Sequence, residues 1–196
     1  MTNFDTTFDF LPENYELPAS TGGNYMKIQD GNNKFRILAK PVVGWIYWER
    51  QNADEKGRPI RLHYTDEARK EAYEKAKLNP KKEDQSVKHF WAMKVYNYET
   101  DSVQILEITQ KSLMQDIVNY AKDENWWSPT EYDINIKKEW KGLDTKYTFM
   151  PIPKKPLSDE IQAKVIEKYV NLEALFYGAD PFDKDWNGVQ DADIPF

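Results

Sequence analysis

This 196-residue chain holds seven Trp, twelve Tyr and nine Phe, and through its middle aromatic residues are interleaved with Lys and Arg. That pairing has a defined chemistry: flat rings stack on flat rings and cations track phosphates, so together they suit a polyanion that carries planar groups. The clearest segment is 88–98. Two-residue alternation gives Lys88, Phe90, Ala92, Lys94, Tyr96 and Tyr98 to one face, and His89, Trp91, Met93, Val95 and Asn97 to the other. The second face reads as core. The first, aromatic and basic at once, reads as a stacking platform, so Lys88, Phe90, Lys94 and Tyr96 are binding candidates. Arg36, Trp45, Tyr47 and Trp48 join them from the segment 34–49, and Arg58 and Arg61 from the polar stretch after it. Lys137, Trp140 and Lys141 complete the set near a later turn. Each aromatic also has a core role open to it. Trp45 and Trp48 are three apart, so they share a face only if a bend lies between them.

Other chemistries lack their residues. The chain has no Cys and only His63 and His89, which removes disulfides, thiol nucleophiles and cysteine zinc sites. No nucleophile–base pair, phosphate loop or metal-ligand spacing stands out, so neither catalysis nor a cofactor or metal is expected. The two histidines read as ordinary side chains. The first residues show no basic, apolar leader, and no stretch approaches the roughly 20 apolar residues of a membrane span. The expectation is a soluble cytoplasmic protein.

Charge is unevenly spread. Residues 1–33 hold five acids and one Lys, residues 34–155 hold 23 Lys and Arg against 19 acids, and residues 156–196 hold nine acids and three Lys. A basic middle between acidic ends suits a polyanion site with a tethered competitor. The last residues, Gln190-Asp191-Ala192-Asp193-Ile194-Pro195-Phe196, combine acids with an exposed apolar end. Such a tip can seat Phe196, with Ile194 and Pro195, in an apolar pocket while Asp191 and Asp193 meet basic residues around it.

The elements that must position these residues follow from periodicity. Residues 1–33, with Pro12, Pro18 and a Ser-Thr-Gly-Gly run, read as a flexible arm. Segment 34–49 reads as one long strand bent at Pro41 and Gly44, 61–64 as a short strand, and 66–78 as a charged helix. Strands follow at 88–98 and 102–109, a helix at about 110–121, then strands at 132–140 and 145–150. Ser158 caps a last helix running to about Phe176, with Asp159 and Glu160 in its first turn. The fold class expected is mainly β: a five-stranded OB-fold barrel over 34–156, with a helix between strands 3 and 4 and a helical insertion between strands 1 and 2. A C-terminal helix (157–178) and an acidic tail (179–196) follow; a mixed α+β sheet is the rival.

The ending Asp-Ala-Asp-Ile-Pro-Phe resembles the acidic tip of bacterial single-stranded-DNA-binding proteins. The body is instead similar to bacteriophage single-stranded-DNA-binding proteins: Lys34-Phe35-Arg36-Ile37-Leu38 with Pro41, Gly44-Trp45 and Tyr47-Trp48, then Ile105-Leu106-Glu107-Ile108-Thr109, Tyr132-Asp133-Ile134-Asn135-Ile136 and Thr145-Lys146-Tyr147. The lack of Cys departs from the zinc-containing phage members. The resemblance implies sequence-independent binding and protection of single-stranded DNA in replication, recombination or repair, with the tip recruiting other replication proteins, in the host cytoplasm if phage-encoded. The alternatives are a protein-interaction barrel that binds no nucleic acid, or an RNA-preferring binder.

Overall fold

The computed structural model describes residues 23–141 and 144–188, Lys141 by its backbone alone. Among them, one mixed sheet of eight strands carries three α-helices. In chain order these are β1 (Tyr25–Met26), β2 (Gly31–Ile37), β3 (Val42–Glu49), β4 (Arg58–His63), α1 (Asp66–Ala76), β5 (Lys88–Asn97), β6 (Ser102–Ile108), α2 (Lys111–Lys122), β7 (Asp133–Lys141), β8 (Asp144–Pro151) and α3 (Asp159–Glu167). A 3-10 helix over Leu172–Tyr177 follows.

The long strand β5 is the spine. Its N-terminal half pairs with β3, from Ile46 opposite Lys88 to Val42 opposite Ala92. Its C-terminal half pairs with β2, from Ile37 opposite Val95 to Phe35 opposite Asn97. The expected single bent strand over 34–49 is therefore two strands on one partner. The break lies at 38–41, around Pro41, which has no N–H to give the ladder. Leu38 still donates its N–H to the Lys94 carbonyl at 2.9 Å, which holds the bend against β5. Gly44 does not make the bend. A Cβ there would press into the Leu62 carbonyl and the rings of Phe90 and Phe176, so glycine permits a close approach.

Strands run in the order β1-β6-β5-β2-β7-β8, with the β3–β4 hairpin branching from β5. All pairs are antiparallel except β1 with β6. The expected closed barrel does not form: among the described residues β8 pairs with β7 alone, and the sheet stays open. The sheet also begins before residue 34, because β1 and the start of β2 belong to it.

Helices start where capping chemistry allows. The Thr65 hydroxyl accepts from the Ala68 N–H, opening α1 with Asp66 and Glu67 in its first turn. Ser158 caps α3 in the same way through Ile161. The expected helix to Phe176 is cut in two, however. Lys94 Nζ donates to the carbonyls of Val165 and Lys168 at 3.2 and 3.0 Å, satisfying the end of α3. Asn171 then caps the 3-10 helix and Gly178, at φ 66°, ends it.

Two cores share β5. Phe35, Ile37, Met93, Val95, Leu106, Ile134 and Ile136 bury against Leu113 and Ile117 of α2. On the opposite face Ile46, Phe90, Ala92 and Ile105 bury under Leu172 and Leu175 of the 3-10 helix. A smaller cluster seats Tyr47 on Ala72 and Ala76 of α1. No described helix is long and apolar enough to cross a membrane.

Candidate nucleic-acid interface

The face of β5 expected to be a stacking platform is covered. Phe90 is fully buried, its ring 6.0 Å from that of Phe176. Tyr96 is buried and gives its hydroxyl hydrogen to Asp101, whose other oxygen takes Lys164 of α3. Burial and that acceptor push the Tyr96 phenol well up. Lys94 caps α3, and burial lowers its ammonium pKa. Tyr47 lies in the α1 cluster, with its phenol pushed up to about 12 chiefly by burial. Arg36 is locked in a buried ion pair with Asp133 at 2.6 Å and donates to the carbonyls of Thr130 and Lys155. These five residues are corrected from binding to structural roles, and the cause is common to most of them. Residues 155–176 lie over this face and use its side chains as their own anchors.

Other candidates come together at the surface on the β3–β4 hairpin. Ile46 is paired with Arg61 on one side and Lys88 on the other, and Trp48 is paired with Pro59. Trp48 is 41% exposed and Lys88 is exposed. Both line a cavity of about 220 Å³ with Glu107 and Thr109. A larger cleft of about 510 Å³ runs between β4 and the C-terminal 3-10 helix, lined by Tyr25, Arg58, Arg61, Leu175, Phe176 and Tyr177. The Arg61–Glu107 ion pair, 2.7 Å, joins the two, one partner lining each. Arg58 is also paired, with Glu49 at 2.6 Å, but its side chain is largely exposed. Burial raises the Tyr25 phenol pKa, with Glu107 and Asp180 adding to it and Arg61 opposing. It stays a neutral, stackable ring.

The strip thus gathers three exposed rings, Trp48, Tyr25 and Tyr177, with the exposed cations Lys88 and Arg58 and the more covered Arg61, 14% exposed. Tyr25 and Tyr177 were absent from the expected set. Tyr25 lies inside what reads as an arm, and Tyr177 at the end of what reads as a helix, so neither carries an alternation signal. No family model, curated protein or solved structure matches this chain.

Trp45 lies on the other face of the hairpin from Trp48, as their spacing requires. It is half-buried, stacked on Tyr64 with ring centroids 5.3 Å apart, and its indole N–H reaches the Thr65 carbonyl at 3.1 Å. Lys137 and Trp140 sit apart from the strip on β7. Lys137 pairs with Glu139 at 2.9 Å, and Trp140 is 68% exposed near the β7–β8 turn. Lys141 ends β7, its side chain outside the described residues. Asp191, Asp193, Ile194, Pro195 and Phe196 also lie outside them.

The histidines have structural partners. The His89 ring takes the indole N–H of Trp91 at Nε2, so Nδ1 is the nitrogen that donates to the Gly44 carbonyl at 2.9 Å. His63 stacks on Phe176 at 4.0 Å. Among the described residues no three His, Asp or Glu side chains gather as a metal-ion site.

Proposed function

We propose that this protein binds single-stranded DNA without regard to sequence, along the cleft between β4 and the C-terminal 3-10 helix. One observation carries the reading: exposed aromatic rings and cations line two adjacent cavities that the Arg61–Glu107 ion pair joins, the combination that lets bases stack while phosphates meet positive charge. Binding is the whole activity; no reaction is assigned. The sheet order β6-β5-β2-β7-β8 with α2 between β6 and β7 supports an OB-type relationship, since it is the order such a barrel has before its edges join. Within that arrangement the β4–α1 insertion joins the first two barrel strands, and Trp140 stands at the last turn, the positions from which such folds grip a strand.

The acidic tip Asp191–Phe196 would serve a separate purpose, docking replication or recombination proteins of a phage or its host through Phe196 and the flanking acids.

The deciding measurement is a tryptophan-fluorescence titration with oligo-dT at several salt concentrations, alongside duplex DNA and oligo-U. The expected result is quenching, a preference for the single strand, and an affinity that falls with salt at about 0.7 log units per phosphate contact. Absence of binding at low salt would remove the DNA reading and turn the search to a protein partner. Tighter binding of oligo-U would reassign the cleft to RNA.

A further inference from the structure

The hairpin that borders the cleft carries a second aromatic–cation array on its opposite face. Trp45 is its centre. Tyr64 stacks on one side of it, the planes 26° apart, and the Arg69 guanidinium lies over the Trp45 ring at 4.9 Å. Arg69 also lies 5.8 Å from the ring of Tyr73, four residues along α1. Tyr64 is 58% exposed and Tyr73 40%. This is an unusual use of exposed rings. Trp45 packs inward on the Tyr47–Ala72–Ala76 cluster and His89 lies against both Trp45 and Tyr64, so the Tyr64 ring is held in place while much of it stays open to water.

Two features connect this array with the cleft. Strand β4 pairs with β3 alone, so no described strand covers its outer edge. The cleft is lined by four consecutive β4 residues, Arg58 to Arg61, whose side chains alternate between the two faces of the hairpin. The cleft therefore opens across the edge rather than ending on one face, and Tyr64 follows β4 by one residue.

We infer that a bound single strand passes over the free edge of β4 and that a base stacks on Tyr64, extending the Tyr64–Trp45–Arg69–Tyr73 array. This rests on the single-strand reading of the cleft. The ligand class is a nucleobase within a longer strand. The ring is already ordered by Trp45, so a base adding to it meets a preorganised surface and loses less in side-chain freedom. The insertion that carries α1 is then part of the binding surface, and the strand length engaged exceeds what the cleft alone can hold.

The test is a titration of full-length wild type, Y64A and Y64W with oligo-dT of about 5 and about 15 nucleotides, the span over which sites of this kind range. Tyr64 belongs to no core cluster but stacks on Trp45 and meets His89, so Y64A should unfold slightly below wild type and Y64W close to it. The expected result is that Y64A binds the long oligonucleotide about 5- to 150-fold more weakly, the equivalent of one lost base stack. Its affinity for the short one should be unchanged, and Y64W should restore the long-strand affinity. Equal affinity of Y64A and wild type for the long strand would overturn the inference, as would an equal loss on both lengths. Wild type that binds neither length would instead remove the reading on which it rests.

Discussion

Asp133→Asn is the substitution whose outcome the structure specifies most fully. The Asp133 side chain is 0% exposed and faces three donors: Arg36, with Nε at 2.8 Å, the Tyr98 hydroxyl at 2.8 Å and Lys34 Nζ at 3.1 Å. Arg36 is itself 2% exposed, so removing the carboxylate charge strands a guanidinium that water cannot reach, whereas Lys34, 37% exposed, can turn outward. Stranding a buried partner in this way costs about 3–5 kcal/mol, a large share of the 5–15 kcal/mol typical of a domain. The assay is urea unfolding, where the midpoint should fall with the slope unchanged. Replacing both residues, as Arg36→Met with Asp133→Leu, should cost less than Asp133→Asn alone, because no charge is left buried. A loss below about 1 kcal/mol for Asp133→Asn, or a double variant worse than the single, would refute the reasoning. Acid titration gives a second check. Burial is the largest influence on Asp133 and raises its pKa, but Tyr98, Lys34 and Arg36 together outweigh it and hold the carboxyl below its ordinary value. Its folded pKa is thus below its unfolded one, so its contribution is full above the unfolded value of about 3.9 and lost as pH falls through the folded one. Asp133→Asn should lack that part of the wild type's acid sensitivity.

Four further outcomes follow from the same geometry. Trp48→Ala should weaken oligo-dT binding by about 1–3 kcal/mol and remove part of the fluorescence quench without moving the thermal midpoint; unchanged affinity would take Trp48 out of the site. Glu107→Gln releases Arg61 to meet a phosphate, so the salt dependence of oligo-dT affinity should steepen by about 0.7 per decade, and an unchanged slope would mean Arg61 makes no phosphate contact. Gly44→Ala should destabilise the fold by about 1–3 kcal/mol in urea, since the new methyl meets the Leu62 carbonyl and two rings; a neutral result would show the hairpin shifts freely. Deleting residues 189–196 should tighten oligo-dT binding at low salt if the acidic tip competes for the cleft, and equal or weaker binding would rule that competition out.

Strand positions were readable because alternation is local: β5, β6, β7 and β8 lie within a residue or two of the segments the sequence indicates. The capping of α3 by Ser158 and the place of α2 were readable for the same reason. What alternation cannot convey is which face is covered. Phe90 and Tyr96 looked outward until a segment some 80 residues later was laid on them. Lys94 looked like a phosphate ligand, yet it closes α3. Arg36 finds its counter-charge at Asp133, 97 residues away. Trp48 and Lys88 kept their surface positions because they lie beyond that covering segment, whereas Arg58 and Arg61 face its last turn across the cleft, Arg58 largely exposed and Arg61 paired with Glu107. The bases of the error were long-range contacts, which a window of neighbouring residues does not contain.

The central position of β5 also bears on how the chain assembles as it leaves the ribosome. The pairing partners of β2 are β5 and β7, and that of β1 is β6. Until residue 97 has emerged, the nascent protein can complete little beyond the β3–β4 hairpin with α1 against it. β2 must wait, unpaired, through some sixty residues of synthesis, a few seconds at about 5–20 residues per second. The second core waits longer still, because its lid is the last described helix. During that interval Ile46, Phe90 and Ile105 have no cover, and the growing chain is most exposed to capture by chaperones or by its own kind.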